Sequence, residues 1–419
     1  MTVPADGVGA TWGITALATA GVVTRPFCIP EAIWAILGAV VLVAFGFLSW
    51  TDALVGVEKG LDVYLFLIGM MLLAECARRE GLFDWLAAIA VGQARGSPQR
   101  LFALIYVVGT IVTVLLSNDA TAVVLTPAVY VATRAAGASP LPYLFICAFI
   151  ANAASFVLPI SNPANLVVFG ARMPHLSSWL AQFAAPSVVA IAITYVALRI
   201  TQRGALARET IAHNVARPRL GRGGALTAWG LASVTVVLLG CSAFDMRLGL
   251  PTFLCGVSVT AILMALTRQQ PWPVLRGVSW SVLPLVAGLF VLVEGLNHAG
   301  TIALLGRMLD ESIARSLTGA TWGVGILAAV ACNLMNNLPV GLIVGSVVAT
   351  GDVPPQVISA ALVGVNLGPN LSITGSLATL LWLVTLRREG LDMDGWQFLR
   401  LGFFVTTPAM IATLAAIVG

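Results

Sequence analysis

A chain of 419 residues that is 59% hydrophobic and only 10% charged, with a mean hydropathy of +0.96, is not an ordinary soluble protein, whose charged fraction is about 25%. It reads as an all-α polytopic membrane protein, since the short alternating segments of a β-barrel are absent from the sequence. The formal net charge of +4 rests on 22 basic residues, of which Lys59 is the only lysine, and its meaning is topological rather than the footprint of a nucleic-acid partner.

Apolar runs between Pro, Gly and charge clusters predict helices near 11–24, 31–49 and 60–79, then a short amphipathic piece at 82–94. The opening residues MTVPADGVGATWG lack a basic stretch, so no cleaved signal peptide is expected. An apolar stretch at about 100–133 follows, too long for one crossing at ~20 residues and interrupted at its centre by Ser117-Asn118-Asp119. Such residues cap helices rather than continue them. The stretch therefore reads as a re-entrant hairpin, tolerated at membrane depth only where its tip is buried in protein or lines a water-filled cavity. A helix at 141–171 is broken at Leu158-Pro159-Ile160-Ser161-Asn162-Pro163, and a helix at 178–200 closes the first unit, residues 1–200.

The polar segment Thr201–Gly224 is the boundary between halves. Residues 225–419 repeat the order, with helices at 225–241, 250–267 and 279–297, a short piece at 301–309 and a hairpin at 318–349 interrupted at Asn336-Asn337-Leu338-Pro339. A broken helix at 356–386 and a last helix at 396–418 complete it. Gly69, Glu75, Gly81 and Asn118 match Gly288, Glu294, Gly300 and Asn337, and 288 − 69, 294 − 75, 300 − 81 and 337 − 118 all give 219. Paired interrupted segments in two halves are the best sequence pointer to a transporter binding site. The prediction is two inverted repeats with about 10 transmembrane helices, two re-entrant hairpins and two broken helices. Five crossings per half give the halves opposite orientations. With Thr201–Gly224 in the cytoplasm, Lys59, Arg172, Arg247, Arg307 and Arg315 are the basic residues left outside, as the positive-inside rule requires. Both termini are then periplasmic.

The candidate solute contacts are Ser117, Asn118, Asn336 and Asn337 at the tips and Ser161, Asn162, Thr374, Gly375 and Ser376 at the breaks. Ser117, Asn118 and Asp119 also suit a helix cap, a reading compatible with solute binding because a capped N-terminus presents N–H groups and a positive dipole end. Pro339 sits just inside a helix start, where its missing N–H costs nothing. Ser161, Asn162 and Asn165 can satisfy carbonyls freed by Pro159 and Pro163. Asp119, an ionisable group at membrane depth, is a candidate for proton coupling. Glu75 and Glu294 are secondary candidates, since Arg78, Arg79 and His298 lie one turn away and favour plain ion pairs. His175 and His213 fall in predicted loops. The six cysteines show no metal-ligand spacing and read as packing residues, so neither a metal site nor a cofactor is expected.

SNDATAVVLTPAV, MNNLPVGLIVG and above all NLGPNLSITGSLATLLWL resemble the bacterial arsenite/antimonite efflux permeases, the membrane subunit of the arsenical pump, within the superfamily that includes dicarboxylate carriers. The resemblance runs from about residue 30 to the end. It implies inverted repeats with re-entrant hairpins in the bacterial inner membrane, export of trivalent arsenite and antimonite as neutral hydroxides in exchange for protons, and optional association with a cytoplasmic ATPase. Asn118, Asp119, Asn337, Gly368, Pro369, Thr374, Gly375 and Ser376 match the family pattern. The family has an acidic residue where Asn152 stands, a departure that leaves Asp119 with more of any coupling role.

The residues fit that chemistry on their own account. Arsenous acid is a neutral pyramid of three hydroxyls, which Asn, Ser and Thr can hydrogen-bond without a countercharge. No thiolate cluster stands in the four interrupted motifs to bind the metalloid too firmly for release. A sodium-coupled carrier of a dicarboxylate is the first alternative, although Asp119 and Leu338 stand where it would want Thr. An uncoupled metalloid channel is the second. An intramembrane enzyme is third, with no HExxH, GxSxG or paired Asp to support it.

Overall fold

The structure, a computed structural model, describes residues 5–212 and 219–419; the 219-residue offset reappears in most of its helices, while the two broken helices recur at an offset of 214 (366 − 152 = 214). The first half runs α1 (Ala5–Thr24), α2 (Glu31–Ala44), α3 (Trp50–Lys59), α4 (Leu61–Arg79), α5 (Leu82–Ala94), α6 (Pro98–Leu115), α7 (Asn118–Ala120), α8 (Thr126–Ala135), α9 (Leu141–Ala153), α10 (Pro163–Phe169) and α11 (Leu176–Thr201). After a short α12 (Arg203–Arg208) the second half repeats it: α13 (Arg222–Ala243), α14 (Gly249–Thr267), α15 (Trp272–Gly277), α16 (Val282–His298), α17 (Thr301–Arg315), α18 (Leu317–Met335), α19 (Asn337–Val348), α20 (Pro355–Leu367), α21 (Leu377–Arg388) and α22 (Gly395–Val418). No strand occurs among the described residues. His213, predicted in a loop, lies outside them.

The halves exchange partners. Helix α4 packs along α14 and its counterpart α16 along α2, while α11 and α22 pack on each other. The matched glycines explain these crossings: a Cβ on Gly69 would lie 2.2 Å from the carbonyl oxygen of Thr252, and one on Gly288 would lie 2.7 Å from the backbone of Ala35. Gly81 and Gly300 adopt φ of +70° and +78° at the turn into α5 and α17, a conformation glycine takes without steric cost. Helices α9 and α20 are buried on nearly every side, so the two broken helices form the centre of the molecule.

Seven described helices are long and apolar enough to cross a membrane, or nine if each bent pair counts as one span. The sequence count of about ten differs because it joined the halves of each broken helix into one crossing. It also counted α2, which at 14 residues is short for a crossing, and set aside α6 and α18, which at 18 and 19 residues are long enough although each is the outgoing arm of a hairpin. Besides the short α12, two elements were not anticipated, α3 and its counterpart α15. Helix α3 carries Asp52, Glu58 and Lys59 and meets α4 at 46°, so its charges hide it from an apolar-run search.

The hairpins open at opposite ends. The segment after α11 covers the mouth of the first, with Gln99 donating to the carbonyl of Leu206, Ser139 N–H and the Tyr143 hydroxyl to Glu209, and Ala212 N–H to the carbonyl of Ala136. At the other end of α11, a helix of 26 residues and so about 39 Å long, Arg172 reaches the carbonyl of Gly351 beside the mouth of the second. The returning arm of the first hairpin contains a π-helical stretch, Thr121–Leu125, just before Pro127, whose missing N–H breaks the regular ladder. Ser346 occupies the equivalent position in the second, and α19 stays regular.

Candidate functional site

Each of the four interruptions ends in a capped helix start. Ser117 Oγ accepts from Ala120 N–H at 3.2 Å, Asn336 Oδ1 from Leu338 N–H at 3.3 Å, Asn162 Oδ1 from Ala164 N–H at 2.9 Å, and Ser376 Oγ from Thr379 N–H at 3.1 Å. Four of the nine predicted solute contacts thus spend an oxygen on the backbone of the next turn. All four caps are buried. The two tips do not sit alone: α7 packs against α21, and α19 against α10, so each returning arm lies beside the broken helix of the opposite repeat.

Each break is fastened in turn to the outgoing arm of its own hairpin. Ser161 Oγ donates to the carbonyl of Val114 at 2.8 Å, and Thr374 Oγ1 to the carbonyl of Asn333 at 3.0 Å. Val114 and Asn333 are repeat equivalents, since 333 − 114 = 219. Gly375 is pressed so close to Pro369 that a Cβ would lie 2.5 Å from its carbonyl oxygen. Asn333, which the sequence reading passed over, organises the second break by donating to the carbonyls of Ala329 and Gly368 and accepting from Ser372. Its signal was an amide in the apolar arm one turn before the tip. Asn165 does what its position suggested and donates to the carbonyls of Ser155, Leu158 and Pro159.

A buried amide network joins the repeats. Asn366 Oδ1 accepts from Ser155 Oγ and Asn162 Nδ2, both at 2.6 Å, and its Nδ2 donates to Asn165 Oδ1 at 3.0 Å. Asn152, its counterpart one repeat earlier, donates to Asn370 Oδ1 at 2.9 Å. Buried amides so connected over-determine the geometry of the centre.

Polar side chains at both tips remain unengaged. The side chains of Asn118 and Asn337 make no hydrogen bond to described residues although both residues are only 3% exposed. The half-buried Asp119 has neither an ion-pair nor a hydrogen-bond partner there, so the cap is Ser117 and not Asp119. The other two carboxylates are paired, as their neighbours suggested: Glu75 with Arg78 at 2.6 Å and Arg79 at 2.8 Å, and Glu294 with Lys59 at 2.6 Å and with His298 at 3.9 Å. His175 caps α11. Cys76, Cys147 and Cys332 are buried free thiols, and no trio of His, Cys, Asp or Glu among the described residues is placed to hold a metal.

One large cavity, about 1600 Å³, opens at the end of the molecule opposite the segment after α11. Its inner wall is Leu166 and Val168 of α10 with Leu342 and Gly345 of α19, and Glu294 lies on its far side. A second, small space of about 10 Å³ lies beside Asn336, Leu338 and Pro339, with Glu31 and Leu380 on its wall. That is room for about one water molecule. The large cavity is thus lined by the returning arm of the second hairpin and the small one by its tip.

The family pattern described as CitMHS, citrate transporter, matches residues 19–365. The chain belongs to that family. The chain is 29% identical over 402 residues to the arsenical pump membrane protein of Escherichia coli, covering 91% of this chain and 92% of the relative. It is 28% identical over 369 residues to the arsenical pump membrane protein of Yersinia enterocolitica, covering 84% of each. The crystal structure of the Alcanivorax borkumensis YdaH transporter, which has an unusual topology, superposes with a TM-score of 0.58 at 14% identity, over 88% of this chain and 87% of that one. That likeness concerns the fold. The chain is therefore a multi-pass membrane transporter of the citrate transporter family.

Proposed function

We propose that this transporter exports trivalent arsenic and antimony, as their neutral hydroxides, from the bacterial cytoplasm in exchange for protons. The observation that carries the reading is the inventory at the tips: two buried amide side chains, Asn118 and Asn337, without partners among the described residues, beside a carboxylate, Asp119, unpaired among them. A neutral polyhydroxide needs hydrogen-bond donors and acceptors and no fixed countercharge, which is what two free amides offer. The names of the relatives, arsenical pump membrane proteins, point the same way. Membrane potential does not act on a neutral solute, so export against a gradient requires a coupled ion. One proton entering down ~100 mV supplies about 2.3 kcal/mol, roughly a fortyfold gradient.

In this cycle Asp119 carries the proton, with Glu75 and Glu294 in reserve, and Ser117, Asn162, Asn336, Ser376, Ser161, Thr374 and Gly375 shape the site through the caps and breaks. With residues 201–224 in the cytoplasm, the large cavity faces the periplasm and the structure is the outward-open member of an alternating pair. The family description, citrate transporter, favours a second reading, a carrier of citrate or another carboxylate, for which sodium is the coupling ion to test. Four helix N-termini suit an anion, yet no Lys or Arg stands in the four interruptions and Asp119 would repel a carboxylate.

Everted membrane vesicles separate the two. A pH gradient alone, in sodium-free buffer, is expected to drive arsenite and antimonite uptake. Uptake of citrate that requires sodium, with none of arsenite, would replace the first reading by the second. Uptake that appears only with ATP and a cytoplasmic ATPase would place the chain in a two-component pump.

A further inference from the structure

Two side-chain amide oxygens among the described residues are sealed from solvent and accept no hydrogen bond: Oδ1 of Asn118, at the first tip, and Oδ1 of Asn152, near the end of α9. Asn152 is fully buried, and the way its amide faces is dictated by its neighbours. The carbonyl of Phe149 can only accept, so Asn370 turns its Nδ2 toward it, at 2.9 Å. That leaves Asn370 Oδ1 to meet Asn152, which must answer with Nδ2, again at 2.9 Å, with Thr379 Oγ1 at 3.5 Å. The group left over on Asn152 is therefore an acceptor, fixed by a relay that starts at a backbone carbonyl. A buried acceptor without a donor is costly, and the repeat-equivalent Asn366 fills its own Oδ1 with two donors. Helix α9 packs directly on α7, which carries Asn118, and on the second break.

We infer that Asn152 Oδ1 is a solute-binding acceptor, working with Asn118 Oδ1 to take two of the O–H donors of a trivalent metalloid hydroxide. The inference rests on the metalloid reading above. Asn370 is then the positioning residue that keeps the acceptor, rather than the NH2 group, turned to the solute.

Binding of two solutes to the purified full chain in lipid nanodiscs tests it. Arsenous acid has three hydroxyls and can fill both acceptors, whereas dimethylarsinous acid has one and can fill only one. Asn152→Leu removes an acceptor that only the first solute needs in addition to Asn118. It is expected to lower the affinity for arsenous acid about tenfold and to leave that for dimethylarsinous acid within about twofold. Asn152→Ser keeps a donor for Asn370 but sets its oxygen back from the solute, and is expected to shift the ratio in the same direction; should the Leu variant fail to reach the membrane, the Ser variant decides. Equal losses for both solutes, or no loss for either, would overturn the role of Asn152 and leave the metalloid reading intact. A parent protein that binds neither arsenical would remove both together.

Discussion

Ser161 donates its hydroxyl to the carbonyl of Val114 at 2.8 Å and accepts the N–H of Leu158 at 3.3 Å, so both of its hydrogen-bonding roles are taken within the protein. Ser161→Ala leaves two buried backbone groups without their partner. A loss of about 1–3 kcal/mol is expected, seen as a lower unfolding temperature in detergent with solute affinity largely kept. Lost binding at an unchanged unfolding temperature would return Ser161 to the solute.

The free amides at the tips call for the opposite pattern. Asn118→Ala and Asn337→Ala break no hydrogen bond with described residues, so each is expected to abolish arsenite resistance while the protein accumulates in the membrane at parental levels. Full transport by both variants would remove the tips from the mechanism.

Asp119→Asn preserves shape and polarity but cannot titrate. Since Asp119 has no cationic partner to lose among the described residues, the variant is expected to fold, bind metalloid and exchange it between the two sides of a vesicle. It is expected to lose accumulation against a gradient and arsenite-dependent proton movement. Parental accumulation driven by a pH gradient would pass the coupling role to Glu75 and Glu294, each to be tested with its partners Arg78, Arg79 and Lys59.

The helix crossings make a stability prediction with an internal control. Gly69→Ala places a methyl 2.2 Å from the carbonyl oxygen of Thr252, whereas Gly240→Ala, in α13, meets nothing within 4 Å. The first is expected to destabilise by at least about 1–3 kcal/mol and the second to be neutral or to stabilise by about 0.5–1 kcal/mol through helix propensity. Thermal unfolding of the two purified variants reads the difference.

Orientation is tested at Ala212, whose N–H is bonded to Ala136 at the mouth of the first hairpin. A single cysteine there is expected to resist an impermeant thiol reagent in intact cells and to react after lysis. Labelling from outside would turn the molecule over and make the large cavity cytoplasmic.

The sequence by itself determined the plan. Hydropathy marked the helices, Ser117-Asn118-Asp119 and Asn336-Asn337-Leu338-Pro339 marked where two of them turn back, and four residue pairs at one spacing announced the repeat, because each of these signals is local or periodic along the chain. Glu75 and Glu294 were paired from helical spacing alone, although Lys59, at a separation of 235 residues, was beyond such reach. Tertiary structure decided which polar groups are spent and which are left. Asn162 and Ser376 carry the same donors and acceptors as any Asn or Ser, and only the folded chain shows that they cap α10 and α21 while the side chains of Asn118 and Asn337 bond to no described residue. Asn152 acquired a fixed orientation from Phe149 and Asn370, the latter 218 residues away. The large cavity is likewise a property of the packed molecule. Two repeats of the same topology impose no shape difference, so which side is open depends on how α10 and α19 rest against the helices around them, a choice that contacts between distant segments make.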